Sequence, residues 1–280
     1  MLSMPKTPRN LLMALGFLSR LTPATLYSTQ IEAKNASCAE QETPSFENPQ
    51  HNAPDEHNPL ADSVPWFPLA GALLGLLATL LPWCGALVLP TFSPVVSAWL
   101  YVMMLAYLTR ALHWDALADI SDACGSNATG EKFWTIMKDS RVGAFGVLGL
   151  IFGLSAQLIA LTLCVEKGLW NVLVIAPAFG RAMIIPLGRM TSPARQSWLA
   201  RAILPGTQRG SSLFAYMATL AACICCTGFS VTALAFIPAA LALLALRSTA
   251  AQHGGCNGDF CGTAIIAGET ALLFAAAIVG

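Results

Sequence analysis

A series of long apolar stretches separated by short polar connectors constrains this chain most: about residues 66–89, 95–112, 142–165, 169–187, 213–229, 231–246 and 262–279. A helix needs roughly 20 apolar residues to cross the hydrocarbon layer of a bilayer. Within that layer only helices and closed barrels satisfy every backbone amide, and runs of this length favour helices. The expected fold is therefore all-α, a polytopic integral membrane bundle of about 6–8 transmembrane helices. Composition agrees, with 55% hydrophobic and 11% charged residues, against about 25% charged in soluble domains. The mean hydropathy is +0.62. A soluble enzyme, a disordered chain and a nucleic-acid binder are excluded, and a net charge of +0 offers no attraction for a polyanion.

Three regions are expected. Residues 1–24 hold an apolar run, 11–18, too short to span, which reads as an interfacial helix. Residues 25–63 are acidic, polar and proline-containing, a flexible loop that cannot bury enough apolar surface to order itself; His51 and His57 within it read as solvated. Residues 64–280 form the membrane-embedded catalytic domain. The nine cysteines show no metal-site or disulfide spacing and read as small apolar side chains. The first apolar run is followed by Arg20 and Pro23 with no small-residue cleavage site, so no cleaved secretory leader is expected. Arg189, Arg195, Arg201 and Arg209 share a connector without acids, which places that connector, and with Lys6 and Arg9 the N-terminus, on the cytoplasmic side.

Acids are nearly absent from the apolar stretches. Of 15, seven lie in residues 32–62 and five in 115–139, leaving only Glu166, Asp259 and Glu269. An acid at membrane depth is costly unless solvated, paired or metal-bound, so the few retained suggest chemistry. Asp115, Asp119 and Asp122, spaced i, i+4, i+7, fall within an arc of about 60° on one helix face. Three like charges on a stripe repel one another unless a cation lies among them. Mg²⁺ takes oxygen ligands and keeps substrate phosphate in its shell, so the stripe suits a metal holding a diphosphate; a solvated helix face beside the membrane is the competing account.

Lys138, Asp139 and Arg141 follow as a compact cluster. Lys and Arg donate to phosphate oxygens, Arg bidentately, and interfacial anchoring would use the same residues. His113 is a candidate acid or base or a structural hydrogen-bonding group. Near the C-terminus, glycines surround Asp259 (GGCNGDFCG) and Glu269 follows ten residues later. Glycines such as Gly258 permit close backbone approach to a phosphate or metal, or form a plain turn. Arg181, inside an apolar stretch, needs a carboxylate or phosphate partner.

Together LSRLTP, WFPLAGALLG from Trp66, HWDALADISDA from His113, IMKDSRVGAFGVL from Ile136 and GGCNGDFCGTAIIAGE from Gly254 resemble the cobalamin synthase (adenosylcobinamide-GDP ribazoletransferase) family. Ala116 and Ala123 stand where that family commonly has Gly after an Asp. The resemblance implies transfer of the adenosylcobinamide-phosphate moiety of adenosylcobinamide-GDP to α-ribazole or its 5′-phosphate, with release of GMP, in the inner membrane of bacteria. It further implies dependence on Mg²⁺, and the expected site holds one or two such ions on Asp115, Asp119 and Asp122, completed by Asp259, with Gly258 and Glu269 in support. Lys138, Arg141 and Arg181 would neutralise phosphate, and Asp139 or His113 would take the proton of the attacking hydroxyl. Homo-oligomer formation is left open. Two rival readings are a CDP-alcohol phosphotransferase, whose Asp-Gly…Ala-Arg pattern is not met, and an ion or solute transporter using the same acids as a cation path.

Overall fold

A computed structural model describes residues 6–19, 58–89 and 91–280. Helix α1 spans Lys6–Leu18. A short helix α2, Pro59–Ser63, runs through a 3₁₀ turn, Val64–Trp66, into α3, Phe67–Val88. The chain continues with α4, Pro94–Thr109, α5, Leu112–Gly125, α6, Glu131–Met137, and α7, Ala144–Glu166. After these come α8, Trp170–Ala182, α9, Ile184–Met190, and α10, Trp198–Thr207. The last three are α11, Gly210–Thr227, α12, Phe229–Gln252, and α13, Gly258–Val279. No strand occurs among the described residues, only an isolated bridge between Pro193 and Cys256.

Six of these helical segments are long and apolar enough to cross a membrane, or seven if α4 and α5 count as one bent span. The protein is thus a multi-pass membrane helical bundle, as the apolar stretches indicated. Most of the predicted 25–63 loop, with His51 and His57, lies outside the described residues. Its last residues depart from that expectation: Asn58 accepts from the amides of Leu60 and Ala61 and starts α2, with a proline in the first turn where its missing N–H is harmless.

The apolar stretch at 95–112 is not one straight helix. α4 stops at Thr109 and α5 leaves at 89°, through Arg110 (φ 57°) and Ala111 (φ 55°). Two successive non-glycine residues in the left-handed region store strain that the surrounding fold must hold in place. With 14 residues at 1.5 Å each, α5 is about 21 Å long, too short to span.

α8 and α13 occupy the centre of the bundle and are largely buried, whereas α7, α11 and α12 turn much of their surface outward. Small residues allow the close approaches. A Cβ at Gly71 or Gly75 of α3 would collide with the α8 backbone at Pro177 and Val174. α7 lies against α5 along Gly143, Gly146, Gly149 and Gly153, whose added Cβ atoms would meet Asp122, Ser121, Leu117 and Trp114. These glycines are the contact stripe between two helices.

Candidate functional site

α5 and the start of α13 carry the acids. The two helices meet where Gly262 faces Ala116, and a Cβ at Gly262 would stand 2.5 Å from that of Ala116; Thr263 Oγ1 donates to the Ala116 carbonyl at 3.2 Å. A small residue is therefore needed on both helices, and Ala116 meets that need. The packing brings Asp259 to the stripe: Asp259, Asp115 and Asp122 all lie within electrostatic range of Asp119, and Asp115 within range of Asp259. Asp115 is exposed, and Asp119, Asp122 and Asp259 are half-buried. Ion pairs among the described residues join Asp139 to Arg141, Glu269 to Arg181 and Asp62 to Arg209, and none of the four acids has a basic partner.

Their side chains are engaged differently. Asp122 accepts from the amides of Gly143 and Gly146, both at 2.7 Å, so both its oxygens close the exposed N-terminus of α7, where the positive end of the helix dipole stabilises a negative charge. The sequence placed Asp122 among the metal ligands; in the structure its carboxylate also caps a helix. Asp259 lies in the first turn of α13, and its Oδ2 accepts from Asn257 Nδ2 at 2.7 Å. No group of three or more His, Cys, Asp or Glu converges tightly enough to cage a metal among the described residues. Hard oxygen donors without counter-charge nevertheless fit a Mg²⁺ that takes one or two carboxylates and fills its shell with water and substrate phosphate.

A cavity of about 90 Å³ lies between α5 and α13, lined by His113, Ala116, Asp259, Cys261 and Gly262. His113 is buried, and its Nε2 has no hydrogen-bond partner among the described residues. A second, larger cavity of about 650 Å³, bordered by α3, α8 and α11, contains none of these acids.

Arg141 donates to Asp139 three times, from its amide and Nε at 3.0 Å and from Nη2 at 2.8 Å. Hydrogen bonding from that guanidinium holds the Asp139 carboxyl down at about 2, a poor setting for a proton acceptor. Lys138 is exposed. Arg181 is not on this surface. It is fully buried, 2.8 Å from Glu269 Oε1, and donates also to the Pro177 carbonyl at 3.0 Å. The partner expected for Arg181 is thus a carboxylate of this chain, Glu269, in place of a substrate phosphate.

Three features escaped the sequence reading. Asn257 caps α13 and contacts Asp259, and an Asn directly before a helix start was a readable cap signal. Phe133 stacks on His253 at 3.8 Å while Trp134 Nε1 donates to the His253 carbonyl at 2.9 Å, tying α6 to the loop before Asp259. Cys256 bonds through its backbone to Ser192 and Ala194 at 2.8 and 2.9 Å. Nothing local in the sequence signals these last two long-range ties.

No solved structure matches this chain. The adenosylcobinamide-GDP ribazoletransferase of Nitratidesulfovibrio vulgaris strain DP4 is 36% identical over 275 residues, covering 98% of this chain and 100% of that protein. The protein of the same name in strain Miyazaki F is 36% identical over 95% of this chain and 93% of its own length. That of Brevibacillus brevis is 33% identical over 75% and 85%. With residues 10–277 matching the cobalamin-5-phosphate synthase family as a whole, and relatives aligned from end to end, the chain belongs to that family.

Proposed function

We propose that the acid-lined face of α5 and α13 transfers the adenosylcobinamide-phosphate group of adenosylcobinamide-GDP to α-ribazole or its 5′-phosphate. The ribazole hydroxyl oxygen bonds to the cobinamide-linked phosphorus, the bridging P–O bond to the GMP phosphate breaks, and GMP leaves with that bridging oxygen. The observation that carries this reading is the group of carboxylates within electrostatic range of Asp119 that have no basic partner among the described residues, in a chain whose relatives bear that transferase name.

Asp115, Asp119 and Asp259 would hold one or two Mg²⁺ ions, no more than two of them on each ion, and Asp122 keeps α7 and its connector beside them. When bound, the ion draws charge off the diphosphate and aligns it for in-line displacement. Lys138 and the exposed guanidinium of Arg141 meet the remaining phosphate charge. Of the two proton acceptors, His113 is favoured: its Nε2 has no hydrogen-bond partner among the described residues and it shares a cavity with Asp259, whereas the pairing with Arg141 makes Asp139 a weak base.

The backbone tie between residues 192–194 and Cys256 supports placing the arginine-bearing connector and the Asp259 loop on one membrane face. The rule that basic connectors stay inside makes that face cytoplasmic, in the bacterial inner membrane. No observation favours the CDP-alcohol or transport readings.

The test is GMP release by membranes containing the protein, given adenosylcobinamide-GDP and α-ribazole 5′-phosphate, with Mg²⁺ and then with EDTA. Release requiring both substrates and the metal supports the reading, as does its loss in Asp119→Asn. Undiminished release in EDTA, or near-normal turnover of Asp119→Asn, would refute the metal assignment.

A further inference from the structure

We infer that Asn257 is the positioning residue that aims the Asp259 carboxylate at the reacting diphosphate, an inference resting on the metal role proposed for Asp259. Asn257 uses both ends of its amide. Its Oδ1 accepts from the amides of Asp259 at 3.1 Å and Phe260 at 3.3 Å, which only an oxygen can do, and this fixes the NH₂ group toward Asp259 Oδ2 at 2.7 Å. One oxygen of Asp259 is thereby tied down. The other accepts no hydrogen bond among the described residues and is left for a ligand, with Asp115 within electrostatic range of Asp259 and both within range of Asp119.

The fork itself cannot drift. Its neighbour Cys256 is held by backbone hydrogen bonds to Ser192 and Ala194. Gly255, at φ 134°, presses so closely on Ala194 that a Cβ would stand 2.5 Å from the Ala194 nitrogen. His253, two residues further back, is pinned by Phe133 and Trp134. The loop is thus anchored on two sides before it reaches Asn257, and the carboxylate it aims is half-buried. Hydrogen bonds of this kind orient metal-binding side chains, and their loss typically weakens metal binding about 10–100-fold.

The experiment uses the full chain purified in detergent, with Mn²⁺ as the probe. Free Mn²⁺ is read by electron paramagnetic resonance, and each variant's thermal unfolding is recorded beside it. Asn257→Gly keeps most of the capping energy, since Gly costs only a few tenths of a kcal/mol at such a position, but removes the donor. It should raise the Mn²⁺ dissociation constant about tenfold with little change in melting temperature. Asn257→Ser, whose hydroxyl both accepts and donates, should recover most of that loss. A merely structural cap would make all three proteins bind Mn²⁺ alike, and that result overturns the inference. Should Asn257→Gly fail to fold, Asn257→Asp keeps the cap and lacks the donor; unchanged or tighter Mn²⁺ binding there overturns it equally. Asp259→Asn separates the two levels: weak binding in Asp259→Asn beside normal binding in Asn257→Gly sinks only the role of Asn257. Normal binding in Asp259→Asn sinks the metal role of Asp259, and this inference with it.

Discussion

Replacing Glu269 with alanine should destabilise the bundle by about 3 kcal/mol, through the charge it strands. Arg181 is 0% exposed and Glu269 3%, and the 2.8 Å contact joins two central helices, α8 and α13. Arg181 Nε and Nη2 already lack partners among the described residues, so removing the carboxylate leaves the cation with only the Pro177 carbonyl. Stripping one member from a buried pair costs about 3–5 kcal/mol, and an arginine at mid-membrane is disfavoured by about 2.5–3.5 kcal/mol. The lower figure applies because an unfolded chain in a membrane still finds polar partners. At 1.4 kcal/mol per tenfold, this is roughly a 150-fold shift in the folding equilibrium. Unfolding in mixed micelles titrated with dodecyl sulfate, followed by tryptophan fluorescence, measures it. The double variant Arg181→Met/Glu269→Leu should recover most of the loss, since both charges leave together. A Glu269→Ala protein of unchanged stability but raised KM for adenosylcobinamide-GDP would refute this reasoning and return Arg181 to phosphate binding.

Gly146→Ala places a Cβ against Asp122 Oδ2 at the α5–α7 contact, and should cost about 1–3 kcal/mol by overpacking, read in the same titration. Trp134→Phe keeps an aromatic ring but loses the bond to the His253 carbonyl; about 1 kcal/mol of stability should go, with faster hydrogen exchange in the 253–257 loop. The Asp139 carboxyl, held by Arg141 at about 2 against an ordinary 3.8, contributes pairing that is complete above the ordinary value and lost only as pH falls through about 2. Asp139→Asn should therefore leave every limb of the pH–rate profile above about pH 5 in place. A limb that disappears in that variant would show Asp139 to be the proton acceptor.

The fold class and the approximate spans were legible because bilayer thickness imposes a length on every crossing helix, and apolar runs of that length stand out. The acids were legible because their rarity at membrane depth makes each one conspicuous. Cap residues such as Asn257 also carried a local signal, since their partners lie two and three residues away. The turn between α4 and α5 carried none: Arg110 and Ala111 adopt a conformation that Gly or Asn would advertise, and only the packing around them holds it.

Partner choice belonged to the tertiary structure. The sequence by itself determined a membrane bundle with carboxylates gathered on α5 and at the start of α13. Helical periodicity tells which residues share a face but not which helix that face meets. Arg181 and Glu269 lie 88 residues apart, Asp122 and Gly146 lie 24 apart, and no local pattern links either pair. Packing therefore decided that one arginine serves the core, that one aspartate of the stripe closes a helix, and that Asp259 joins the others.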